Sequence, residues 1–142
     1  MLFIWSNSLQ TADESSQVSL GVLSWFMPFF ERFGLPEEVW HTLIRKLAHM
    51  TEFAIAGILW SGALSPAAGQ PLRIRWMRRG LALVLCLATA VVDECIQLFV
   101  PGRSGELRDV CIDMAGSVLG VLAIIVIGKM VLKLRKGTNL YE

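Results

Sequence analysis

Charge is scarce in this chain, and the places it avoids matter as much as the places it occupies. Only 18% of the 142 residues are Asp, Glu, Lys or Arg, against about 25% in an ordinary soluble domain. The remainder is rich in apolar residues, at 54%, with a mean hydropathy of +0.56. Net charge is +1, so no global field draws the chain to nucleic acid. No internal repeat and no low-complexity tract divides it, and one domain over 1–142 is the default at this length. The three cysteines do not build a disulfide framework. Cys86 lies within an apolar run and reads as a small filler. Cys95 and Cys111 could pair only if they faced an oxidising space. The first residues do not read as a secretory leader either. Met1-Leu2-Phe3-Ile4-Trp5 is apolar but stops at Ser6-Asn7-Ser8, with no basic residue before it. Residues 1–5 read as the stub of a transmembrane helix whose beginning is missing.

Three long apolar stretches fill the space that charge leaves: about 43–64, 80–100 and 112–132. A bilayer span needs about 20 residues at 1.5 Å each. The expected fold is an all-α membrane bundle of three full spans plus a truncated first helix. Residues 6–42 are expected as an outer interfacial segment. Within them Val18 to Phe30 reads as a short amphipathic piece interrupted by Pro28, and Pro36 suits a helix start. The loop 65–79 holds Arg73, Arg75, Arg78 and Arg79 and no acid, and the tail 129–142 holds Lys129, Lys133, Arg135 and Lys136. Basic flanks mark the cytoplasmic side. That places the Arg-rich loop and the C-terminus inside, and the turn 101–110 outside. Trp40, Trp60 and Trp76 fall where an interfacial aromatic belt would put them.

What charge there is concentrates on one rim. Ten ionisable residues lie in Arg45-Lys46-x-x-His49-x-x-Glu52, in Asp93-Glu94, and in Arg103-x-x-x-x-Arg108-Asp109-x-x-x-Asp113. Charge in the hydrocarbon region costs about 2.5–3.5 kcal/mol per residue on the mildest scales, so it is rare without a reason. Arg45, His49 and Glu52 fall on one helix face; Asp93, Glu94 and Gln97 share another; Asp109, Asp113, Gly116 and Gly120 form a third stripe. Gly116 and Gly120 have the small-residue spacing that lets helix backbones approach. Pro101-Gly102 makes the outer turn, which hangs Arg103 and Arg108 over the site. The candidate acid–base groups are His49, Glu52, Asp93 and Glu94. The candidate ligand-binding groups are Arg45, Lys46, Gln97, Arg103, Arg108, Asp109 and Asp113, since the planar guanidinium suits phosphate and carboxylate. No serine or cysteine nucleophile stands beside His49. His49 and Glu52 with Asp93, Glu94 and Asp113 could hold a cation, but a single histidine among carboxylates is a weak sign of metal, so no metal and no cofactor is expected. The bland alternative is that these charges only fix helix register. A third reading is a metal-dependent intramembrane hydrolase.

In this order, the blocks Arg45-Lys46-Leu47-Ala48-His49-Met50-Thr51-Glu52-Phe53, Asp93-Glu94-Cys95-Ile96-Gln97-Leu98-Phe99-Val100-Pro101-Gly102-Arg103 and Asp109-Val110-Cys111-Ile112-Asp113-Met114-Ala115-Gly116 resemble the VanZ-like family. The resemblance covers about 45–127, with a weaker echo at Phe3-Ile4-Trp5-Ser6-Asn7-Ser8. It implies a small multi-pass protein of the bacterial cytoplasmic (inner) membrane with about four helices. The family's name-giving member is linked to low-level teicoplanin resistance. The expected partners are membrane lipids and a lipid-linked cell-wall precursor at the outer leaflet, with no nucleic acid.

Overall fold

The computed structural model describes residues 2–9, 36–65, 69–103 and 105–138, and among these every regular element is α-helical. Among the described residues four helices follow one another: α1 (Leu2–Ser8), α2 (Glu37–Ala63), α3 (Leu72–Gln97) and α4 (Leu107–Thr138). The expected interfacial piece around Val18 to Phe30 lies outside the described residues.

Proline sets two of the starts. Pro36 (φ −56°, ψ 145°) and Pro71 (φ −56°, ψ 148°) are the N-caps of α2 and α3. Each lies just before a helix, where a missing N–H costs nothing. Both helices begin earlier than the apolar runs do. The start of α3 at Leu72 rather than Gly80 makes Arg73, Arg75, Arg78 and Arg79 helical, not loop, residues. A leucine-, arginine- and methionine-containing stretch helps this extension, because those residues lose little rotamer freedom in a helix. Arg79 also stacks over the Trp76 ring at 5.2 Å.

The end of α3 answers to Pro101. The helix stops at Gln97, and the chain tightens through Phe99 N–H to Ile96 O (3.0 Å) and Val100 N–H to Gln97 O (3.1 Å). Pro101 has no N–H to continue the ladder and pushes Val100 out of the helical region. Gly102 then takes φ +79°, which reverses the chain.

Packing rests on small residues. A Cβ on Gly116 would strike the Met50 carbonyl, one on Gly120 the Ala54 carbonyl, and one on Gly57 the Ser117 carbonyl. The α2–α4 seam is therefore backbone against backbone, and it is the most extensive contact between any two helices. The apolar core is small: Ile4, Phe53, Ala56, Cys86, Ala90 and Val110, with Trp5, Trp60 and Met114 against it. Trp60 thus belongs to the packed interior, whereas Trp76 is 57% exposed.

The large apolar side chains mostly face outward. Ile55, Leu59, Val84, Val91, Leu122 and Val126 are all exposed. Two helical segments are long and apolar enough to cross a bilayer, Leu72–Gln97 and Leu107–Val131. The 27-residue α2 has the length but, with its charged face, is not among them. A protein that turns apolar residues outward on such helices fits a membrane environment rather than water.

Candidate functional site

All four helices converge at the end where α3 gives way to the Gly102 turn and α4 begins. Asp93 of α3 is fully buried there. Its Oδ1 accepts from the Ser8 hydroxyl of α1 at 2.5 Å, and its Oδ2 accepts from Gln97 Nε2 at 3.1 Å. Both bonds follow from helix geometry. Gln97 is one turn beyond Asp93, and Ser8 is the last residue of α1, which packs on α3.

Glu94 is also buried, but it is engaged elsewhere. Its Oε2 accepts the Glu106 backbone N–H at 2.8 Å, and its Oε1 takes a longer contact, 3.4 Å, from Gln97 Nε2. Glu106 immediately precedes α4, and its carbonyl accepts the first turn's N–H groups from Asp109 (2.9 Å) and Val110 (3.4 Å). The Glu94 carboxylate thus caps the positive end of a neighbouring helix. Beside it, the Lys46 ammonium of α2 pairs with Asp109 Oδ1.

Asp113 is 1% exposed, and among the described residues neither of its oxygens has a hydrogen-bond partner. Opposite stands the face of α2 that carries Arg45, His49 and Glu52, all half-buried. One ligand atom each from His49, Asp93 and Asp113 lies within 4.8 Å of the others. A void of about 10 Å³ is lined by Arg45, Lys46, His49, Gln97, Asp109 and Asp113, among others. It is close to the size of one water molecule.

Arg103 follows the turn and folds back into the cluster. Its Nε and Nη1 are buried and lack a hydrogen-bond partner among the described residues. Burial pushes the guanidinium below its ordinary pKa; Arg45 acts in the same direction, while Asp93 and Glu94 oppose it. Arg108 does not join this interior. It is exposed and lines a separate groove with Val39, Leu43, Leu47 and Ile112. The three cysteines are free: Cys86 buried, Cys95 and Cys111 exposed.

The structure therefore gathers Arg45, Lys46, His49, Asp93, Glu94, Gln97, Arg103, Asp109 and Asp113 at one end of the bundle. Glu52 sits about one turn further along α2, at the mouth of an apolar groove of about 370 Å³. Sequence reasoning missed Ser8. Its only signal was that Phe3 to Ser8 faintly echoed the family pattern while the other blocks carried the charges.

A small helical protein with bilayer-length apolar helices and a buried, mixed-charge cluster at one end fits the membrane class. More particularly, the chain belongs to the VanZ/LLP1 family, whose model matches residues 1–128. No curated protein and no solved structure matches the chain.

Proposed function

We propose that this is a multi-pass protein of the bacterial cytoplasmic membrane that binds or modifies a lipid-linked, anionic cell-wall component at the outer leaflet. In this reading α2 is a third span, and its polar face is tolerated because it meets the acids of α3 and α4. The Arg-rich start of α3 faces the cytoplasm. An effect on susceptibility to glycopeptides such as teicoplanin is the corresponding phenotype.

The carrying observation is Arg103. Its guanidinium is partly buried, its Nε and Nη1 have no hydrogen-bond partner among the described residues, and it follows a turn rather than lying in a helix. Unsatisfied buried donors on a planar fork suit a phosphate or carboxylate. The apolar groove supports the lipid half of the ligand. It runs along α2 from Glu52 past Ile55, Leu59 and Trp60 to Ala63, opposite Ile4. At about 370 Å³ it suits part of a hydrocarbon chain.

Native mass spectrometry of the protein released from its own membrane tests this. Wild type carries an anionic lipid or lipid-linked precursor. Arg103→Ala loses it with nearly unchanged stability, and Arg103→Lys keeps a fraction, since the charge remains and the fork does not. Equal occupancy in wild type and Arg103→Ala sinks the binding role. The competing reading is a module held together by its buried charges, favoured by the Ser8–Asp93–Gln97 bonds. Glu52→Gln and Asp93→Asn separate the two. Variants that accumulate and melt normally but lose the cellular phenotype favour a functional site, whereas failure to fold favours the structural one.

A further inference from the structure

Asp113 is the carboxylate of the cluster whose burial no hydrogen bond compensates among the described residues. It is 1% exposed with both oxygens unpartnered. An uncompensated buried carboxylate is a costly arrangement. What faces it is another carboxylate and an imidazole, a set that calls for a cation rather than supplying one. His49 from α2 and Asp93 from α3 each bring a ligand atom within 4.8 Å of an Asp113 oxygen and of each other. Three long helices contribute one group apiece, which the spacing along any single helix does not reveal.

Asp93 is already held as metal-ligating carboxylates are held. Ser8 Oγ donates to one oxygen and Gln97 Nε2 to the other. Each oxygen keeps a further lone pair, and such outer contacts orient a ligand for its ion. A void of about 10 Å³ adjoins two of the three, His49 and Asp113, and is lined by Arg45 and Lys46 as well, not by Asp93. A tetrahedral ion with bonds of about 2.1 Å wants ligand atoms about 3.4 Å apart, so side-chain adjustment of about an ångström closes the set.

We propose that His49, Asp93 and Asp113 bind one divalent transition-metal ion, zinc before manganese. A nitrogen with two carboxylate oxygens suits either metal, but three protein ligands match a tetrahedral site with one open position. That position takes water or an anion oxygen. This deepens the proposed function and rests on reading the cluster as a ligand site: Arg103, which acts electrostatically on both His49 and Asp93, and the ion would share the anionic group. Glu94 is left out of the set because its oxygens serve Glu106 and Gln97.

The test uses the full chain in detergent, stripped with chelator and titrated with Zn²⁺, Mn²⁺ or Co²⁺ alone. Bound metal is counted by elemental mass spectrometry, and the visible absorption of Co²⁺ reports geometry. Wild type takes one Zn²⁺ per chain and gives the intense spectrum of four-coordinate Co²⁺. Asp113→Asn, close in shape, loses the ion. Ser8→Ala keeps all three ligands and binds about 10–100-fold more weakly, as loss of an outer-shell contact does; it covers the case in which Asp113→Asn does not accumulate. Arg103→Ala keeps the ion. A folded wild type that takes up no stoichiometric metal overturns the inference, as does equal affinity in wild type and Ser8→Ala. Wild type that carries the anionic lipid yet binds no metal removes the ion and leaves the proposed function standing.

Discussion

Glu94 shows how a residue's role depends on where its oxygens point. As one of two adjacent acids it reads as half of an acid–base pair. Folded, it accepts the Glu106 N–H and so holds the start of α4 against the end of α3. Glu94→Ala leaves that part-buried N–H without its acceptor and is expected to cost about 1–3 kcal/mol, measured by thermal unfolding in detergent. Glu94→Gln retains a carbonyl acceptor and is expected to lose much less. Equal melting of wild type and Glu94→Ala would mean the cap is dispensable. Asp93 and Asp113 diverge in the opposite way. Both are buried acids, but among the described residues Asp93 has two donors and Asp113 has none. Nothing in their spacing distinguishes them, because the donors to Asp93 include Ser8, 85 positions away.

At the scale of the element, the small-residue stripe on α4 was legible and its partner was not. Gly116 and Gly120 announce a close helix contact by spacing alone. That they meet Met50 and Ala54 of α2, with Gly57 returning the contact at Ser117, depends on how the helices cross. Gly120→Val would drive a branched side chain into the Ala54 backbone. The expected cost is about 1–3 kcal/mol or more, because backbone cannot step aside as a side chain can. Gly128 of the same helix meets nothing within 4 Å, so Gly128→Val serves as the control and should melt as wild type does. Helix ends were less legible than helix cores. The apolar run of α3 begins at Gly80, but the helix begins after Pro71 because hydropathy marks burial in lipid while capping marks the backbone.

For the whole molecule, the proposed orientation rests on four arginines at one end of α3 and the buried cluster at the other. Accessibility labelling of single cysteines in a background lacking Cys86, Cys95 and Cys111 should place Arg75→Cys and Leu107→Cys on opposite sides. Leu107 is the suitable outer position, being 81% exposed. Gly105 is not, because a Cβ there falls 2.9 Å from the Glu94 carbonyl oxygen. Reaction of both sites from the outside would overturn the topology.

The sequence by itself determined that this protein is helical and that its polar residues belong to three helix faces; it offered three apolar stretches of near-bilayer length, of which the structure leaves two, Leu72–Gln97 and Leu107–Val131, long and apolar enough to span. These are properties of local periodicity and composition, which short stretches of chain carry unaided. It also carried the family resemblance, through its three charged blocks, and the VanZ/LLP1 family model matches residues 1–128. Only the tertiary structure decided which polar groups are satisfied: Asp93 by Ser8 and Gln97, Asp109 by Lys46, Glu94 by the α4 start, Asp113 by no hydrogen bond. It likewise turned Arg103 inward and left Arg108 exposed. Hydrogen bonds and ligand sets form between atoms a few ångströms apart in space, and helix crossing, not residue spacing, sets those distances.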